Sequence, residues 1–67
     1  MSPKKLGQVI RSLREAKGMT QVDLAKKAKV TRPYLTQIEI GARKNPSLDV
    51  LKRLAKALGV PVGKLLE

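Results

Sequence analysis

The stretch MTQVDLAKKAKVTRPYLTQIEIG, residues 19–41, decides the fold of this chain. Thr20 is a good N-cap for a helix, and Asp23 three residues later completes a capping-box pattern. Thr31 repeats the start signal before a second apolar run. The pattern predicts two short helices joined by a turn of about three residues, which is the arrangement of a helix-turn-helix over residues 20–40.

The sequence on either side of this stretch predicts three more helices. Apolar residues recur at helical spacing over residues 4–17, and Ser47 begins a helix that Gly59 ends. Residues 61–66 are expected to form a short fifth helix. The apolar stripe predicted for the fourth helix consists of Leu48, Leu51, Leu54, Ala55 and Leu58. The expected fold class is all-α, a compact bundle of five short helices in one domain over residues 1–67.

The net charge is the strongest bulk feature of the chain. Fifteen Lys and Arg residues against five Asp and Glu residues give a formal charge of +10. This imbalance favours a polyanionic partner, either nucleic acid or an anionic membrane surface. No segment approaches the ~18 consecutive apolar residues of a transmembrane helix. No apolar run of signal-peptide length follows the basic start. We therefore expect a cytoplasmic, nucleoid-associated protein.

The residue types that most enzymes use for catalysis are scarce in this sequence. It contains no His and no Cys, so neither a thiol nucleophile nor an imidazole base is available. Its few Asp and Glu residues form no clustered pair, and no metal-ligand spacing occurs. We expect no enzymatic activity, no metal and no cofactor.

Three stretches carry a family resemblance: IRSLREAKGMTQVDLAKKAKV from Ile10, TRPYLTQIEIG from Thr31 and NPSLDVLKRLAKALGV from Asn45. They resemble the Cro and phage-repressor-like (xenobiotic response element) helix-turn-helix family, and the similarity extends over residues 7–66. The resemblance implies a lambda-repressor-like fold and a transcriptional regulator, a repressor, that binds double-stranded DNA. The chain departs from the family at Lys29, where glycine is usual. That position often needs a positive φ, so strain on the order of 1 kcal/mol is expected.

The outer face of the third helix is expected to contact the base edges in the major groove. Arginine donates to guanine O6 and N7, and glutamine pairs with adenine N6 and N7. For Arg32 a phosphate contact is almost as good an account, and for Gln37 the alternative is a solvated surface. Thr36 is expected to meet either a base edge or the backbone. The expected base-contacting residues are Arg32, Pro33, Thr36 and Gln37.

A second set of residues is implied to contact DNA phosphates. The set consists of Gln21, Thr31, Tyr34, Arg43, Lys44 and Asn45. Gln21 is also expected to brace the third helix, and Thr31 is primarily a cap. For Tyr34, packing against the second helix is an equally good account.

The resemblance implies a structural ion pair, and we also expect the chain to form a dimer. Arg14 and Glu39 are expected to form a buried pair that ties the first helix to the third. A homodimer is expected to place two recognition helices in successive major grooves, roughly 34 Å apart, on a pseudo-palindromic operator. The apolar residues of the C-terminus belong either to the dimer contact or to the core; they are Val60, Val62 and Leu66.

Two other functions stay open from the sequence. The same fold can serve as an antitoxin or in another protein-docking role. A basic helix can also lie on a membrane surface or bind calmodulin, but that requires one long helix with segregated faces. Here Gly18, Gly41 and Gly59 interrupt the helical pattern. No small-molecule ligand is indicated.

Overall fold

The computed structural model describes residues 2–43 and 46–66. Within these ranges the chain forms five α-helices and no strand, so the all-α class predicted from the sequence is confirmed. The helices are α1 (Pro3–Ala16), α2 (Gln21–Ala28), α3 (Arg32–Glu39), α4 (Leu48–Leu58) and α5 (Val62–Leu65). Their ends differ from the predicted bounds by one or two residues at most.

Local capping contacts fix where α2 and α3 begin. The backbone N–H of Thr20 donates to Asp23 Oδ2 at 2.9 Å, and the N–H of Asp23 donates to Thr20 Oγ1 at 3.0 Å. The first bond lowers the pKa of Asp23 below its ordinary value of 3.8. This bond therefore stabilises the folded protein at pH values above the ordinary pKa. The stabilisation is lost as the pH falls through the lowered pKa that Asp23 has in the folded protein. Thr31 Oγ1 accepts from the N–H of Tyr34 at 3.3 Å and so caps α3. This helix begins after a turn of three residues, 29–31.

The core lies between these helices and is entirely aliphatic among its fully buried side chains. The largest of these side chains are Ile10, Leu24, Leu35, Ile38, Leu54, Leu58 and Leu65. Leu65 explains why a four-residue α5 forms without a side-chain cap: its burial holds the C-terminus against the bundle. Val60 and Val62 also pack on the core, whereas Leu66 is exposed.

The predicted stripe of α4 is wrong at its first position. Leu48 is 55% exposed, whereas Val50 and Ala57 are buried. With 3.6 residues per turn, Leu48 lies roughly 100° from the centre of the buried face, beyond the edge of the contact. Its position three residues before Leu51 suggested the core, but the core is centred on the other side of that residue.

Lys29 adopts the left-handed conformation that the sequence suggested. Its φ of 59° and ψ of 44° make it the one non-glycine residue with positive φ in the described ranges. The residue caps the C-terminus of α2, and its carbonyl accepts a hydrogen bond from Arg53 Nη1 at 3.0 Å. A lysine therefore occupies a backbone conformation that glycine adopts without strain.

Replacing this lysine with glycine should stabilise the protein. Lys29→Gly is expected to raise the free energy of unfolding by about 0.5–1 kcal/mol, because it relieves the left-handed strain and keeps the carbonyl that Arg53 binds. The matched control is Lys26→Gly in the middle of α2, which should lower stability by about 1 kcal/mol. Urea unfolding measures both. A loss of stability in Lys29→Gly would show that the turn is not strained.

Candidate nucleic-acid interface

Helix α3 has an apolar inner face and a polar outer face. Leu35 and Ile38 are fully buried against the other helices. Pro33 and Gln37 are exposed on the opposite side of the helix, and Arg32 is exposed at its N-terminal end. The one carboxylate of α3 belongs to a buried residue, so the outer face presents hydrogen-bonding groups and a cation but no negative charge.

A buried ion pair fixes α3 to α1. Arg14 Nε lies 2.8 Å from Glu39 Oε2, and Arg14 Nη2 donates to Glu39 Oε1 at 3.2 Å, so the contact is bidentate. Arg14 Nη1 donates to the carbonyl of Met19 at 2.8 Å, just before α2. The hydrogen bonding of the Arg14 guanidinium to the Glu39 carboxylate, which accepts, raises the pKa of Arg14 above its ordinary value. The pair that the family pattern implied thus joins three segments of the chain.

Gln21 extends this network to the middle of α3. Its Nε2 donates to Glu39 Oε1 at 3.1 Å, and its Oε1 accepts from Thr36 Oγ1 at 3.1 Å. Gln21 therefore braces α3 as expected. The second amide hydrogen of Gln21 has no partner in the described part of the chain. This hydrogen is therefore available to the DNA phosphate that Gln21 is expected to contact.

Thr36 occupies the boundary between the two faces of α3 rather than the centre of the outer face. It is half-buried, and its hydroxyl hydrogen is already donated to Gln21. Only the lone pairs of this oxygen remain for an external donor. The sequence did not predict this contact, because it depends on how closely α2 crosses α3.

Tyr34 and Arg43 form a second fixed element beside the outer face. The guanidinium carbon of Arg43 lies 4.6 Å from the centroid of the Tyr34 ring, within the range of a cation–π contact. The ring is half-buried and packs against the core, so packing accounts for part of its role. Lys44 and Asn45, which were also expected to contact phosphates, lie outside the described residues.

An open groove of about 660 Å³ runs beside the start of α3 toward α4. We call it the interface groove; it is lined by Lys29, Val30, Thr31, Pro33, Tyr34, Gln37, Arg43, Val50 and Arg53. Arg53 was not among the interface residues predicted from the sequence. Its spacing of four residues from Asp49, whose carboxylate lies 3.3 Å away, was the available signal for a held side chain.

The same residues offer little support for other kinds of site. Over residues 2–43 and 46–66, no group of three or more Cys, Asp, Glu or His side chains is placed to hold a metal ion. Within those ranges no helix is long and apolar enough to cross a membrane. The exposed side of α3 and the interface groove instead carry hydrogen-bond donors and positively charged side chains.

Two short helices joined by a tight turn, the second with a polar outer face, define a helix-turn-helix protein. The family model described as helix-turn-helix matches residues 10–65, and the chain belongs to this family.

Known relatives and solved structures agree with this membership. The immunity repressor protein of Bacillus phage phi105 is 44% identical over 61 residues, which cover 91% of this chain and 42% of that protein. The restriction-modification controller protein C.AhdI of Aeromonas hydrophila superposes with a TM-score of 0.90 at 40% identity, covering 94% of both chains. The biofilm regulator SinR, solved in complex with DNA, gives a TM-score of 0.89 at 39% identity and covers 92% of this chain and 98% of that one. The chain spans about half the length of the curated relatives it matches.

Proposed function

We propose that this chain is a sequence-specific double-stranded DNA-binding domain of a transcriptional repressor and that α3 enters the major groove. The observation that carries the proposal is the exposed, carboxylate-free outer face of α3, which a buried network holds in place from Arg14 through Glu39 to Gln21. A rigid helix whose exposed face is polar and carries no carboxylate suits close approach to base edges. The similarity to SinR in complex with DNA supports the same use of the fold.

The residues of the interface divide into two roles. Arg32 and Gln37 donate to base edges, and the ring of Pro33 rests on a thymine methyl group. Thr36 contributes through the lone pairs that its bond to Gln21 leaves free. The phosphate contacts come from Gln21, Thr31, Tyr34, Arg43, Lys44 and Asn45.

The proposed assembly is a homodimer on a pseudo-palindromic operator. One domain covers residues 1–67, with the helix-turn-helix at residues 20–40, and two copies place their α3 helices roughly 34 Å apart in successive major grooves. The exposed Leu66 beside the half-buried Val60 and Val62 offers an apolar contact surface at the end of the bundle. The repressor acts in the cytoplasm at the nucleoid, blocks polymerase by occupancy and carries out no catalysis.

A single side chain separates base contact from general DNA affinity. Gln37→Ala should weaken binding to a selected site by about 1–3 kcal/mol, because the amide pairs with one base, and should leave binding to unrelated duplexes unchanged. Fluorescence anisotropy with the two kinds of duplex measures the difference. Gln8→Ala on the exposed side of α1 is the control that removes the same side chain elsewhere. An equal loss on both duplexes would remove Gln37 from the base-contacting set.

A further inference from the structure

The basic surface of the protein continues past the helix-turn-helix. A second groove, of about 290 Å³, lies between α2 and α4 and is lined by Lys27, Ala28, Lys29, Arg53, Lys56 and Ala57. It shares Lys29 and Arg53 with the interface groove. These two side chains therefore form the junction through which positive charge extends from the outer face of α3 to the side of α4.

Arg53 is held in position yet keeps free donors. Its Nη1 donates to the carbonyl of Lys29 at 3.0 Å, and its Nε lies 3.3 Å from the carboxylate of Asp49. A guanidinium has five N–H donors, so these contacts orient the group and leave the rest available. Asp49 offsets part of the charge, but its side chain is 81% exposed, where solvent screens it strongly. A planar, pre-oriented guanidinium is well suited to bind a phosphate.

Lys29 adds an independent observation. It holds a left-handed backbone at a position where glycine would be unstrained, and its side chain is exposed at the junction of the two grooves. Residues held in such conformations cluster at functional sites, where a side chain contributes something that glycine lacks. At this position that contribution is a positive charge.

We propose that Lys29 and Arg53 form an additional binding site for phosphates of the DNA backbone, outside the contacts assigned to the helix-turn-helix. The site extends the bound stretch of one strand from the interface groove toward α4. The proposal rests on the proposed function, since it names a further part of the same DNA surface. A DNA strand is favoured over an acidic protein because the two residues adjoin Pro33, Gln37 and Arg43 in one groove.

Salt dependence of binding to a labelled duplex of mixed sequence tests this site. Lys29→Gly and Arg53→Gln should each make the negative slope of log affinity against log salt shallower by about 0.9. Each substitution should also weaken binding roughly threefold to tenfold at moderate salt. Lys29→Gly should do so while being more stable than the parent, so misfolding cannot explain the loss. Lys52→Gln removes an exposed charge from the neighbouring position of α4, outside both grooves, and should leave the slope unchanged.

The outcomes separate this site from the proposed function itself. If the parent protein binds the duplex and both variants keep its slope, the Lys29–Arg53 site is overturned while the proposed function stands. If the parent does not bind duplex DNA at all, the proposed function fails and this site fails with it. If Arg53→Gln weakens binding of polyglutamate but not of the duplex, the site belongs to an acidic protein and the assignment to DNA is overturned.

Discussion

Replacing Glu39 with glutamine is expected to lower the free energy of unfolding by about 3–5 kcal/mol, because it leaves the buried guanidinium of Arg14 without a counter-charge. The carboxylate accepts two hydrogen bonds from that guanidinium and a third from Gln21. Small domains have total stabilities of only about 5–15 kcal/mol, so the loss is large enough to leave part of the population unfolded at room temperature. Urea unfolding followed by circular dichroism measures it.

An exposed ion pair on α1, the helix that carries Arg14, provides the matched control. Arg11 Nε lies 3.3 Å from Glu15 Oε2, and both side chains are more than half exposed. Glu15→Gln should change stability by less than about 1 kcal/mol. If Glu39→Gln were no more damaging than Glu15→Gln, the buried network would not be what holds α3. Replacing both Arg14 and Glu39 with methionine should restore much of the stability, since no buried charge is then left unpaired.

The second large effect is expected at Gly7, where α1 crosses the end of α3. A Cβ atom at this position would lie 2.4 Å from the carbonyl oxygens of both Ile38 and Glu39. These are backbone atoms, which cannot turn aside as a side chain does, so the two helices must separate. Gly7→Ala should therefore destabilise the protein by about 3 kcal/mol, at the upper end of overpacking effects. It should also weaken DNA binding, because α3 carries the outer face.

The sign of the change in stability on Gly7→Ala tests whether α1 and α3 cross this closely. In a helix without a close neighbour, alanine is favoured over glycine by about 1 kcal/mol. Gly63 in α5 meets this condition, since nothing lies within 4 Å of the added Cβ and its φ is not positive. Gly63→Ala is thus expected to stabilise the protein while Gly7→Ala destabilises it. A gain of stability in Gly7→Ala would contradict the close crossing of α1 and α3.

Features with a local cause were predictable from the sequence. The caps at Thr20, Thr31 and Ser47 depend on residues within one helical turn, and each makes the expected hydrogen bond. The left-handed conformation of Lys29 was expected from the family resemblance, because glycine is usual at this position. The pairing of Arg14 with Glu39 came from the family resemblance, since spacing alone shows only that both point inward.

Features that depend on the packing of distant segments were not predictable in this way. The exposure of Leu48 depends on which side of α4 the other helices cover. The bond from Thr36 to Gln21 and the bond from Arg53 to Lys29 each cross between helices. The role of Gly7 is likewise visible only when α3 is in place, because its sequence neighbours form an ordinary helix.

In the proposed complex, the outer face of α3 contacts specific base pairs of duplex DNA. Selection of bound duplexes from a random-sequence library tests it most directly. We expect enrichment of an inverted repeat whose half-sites are about one helical turn apart, and we expect this enrichment to be lost in Arg32→Ala and Gln37→Ala. Recovery of no preferred sequence, together with an affinity that does not change between low and high salt, would contradict it.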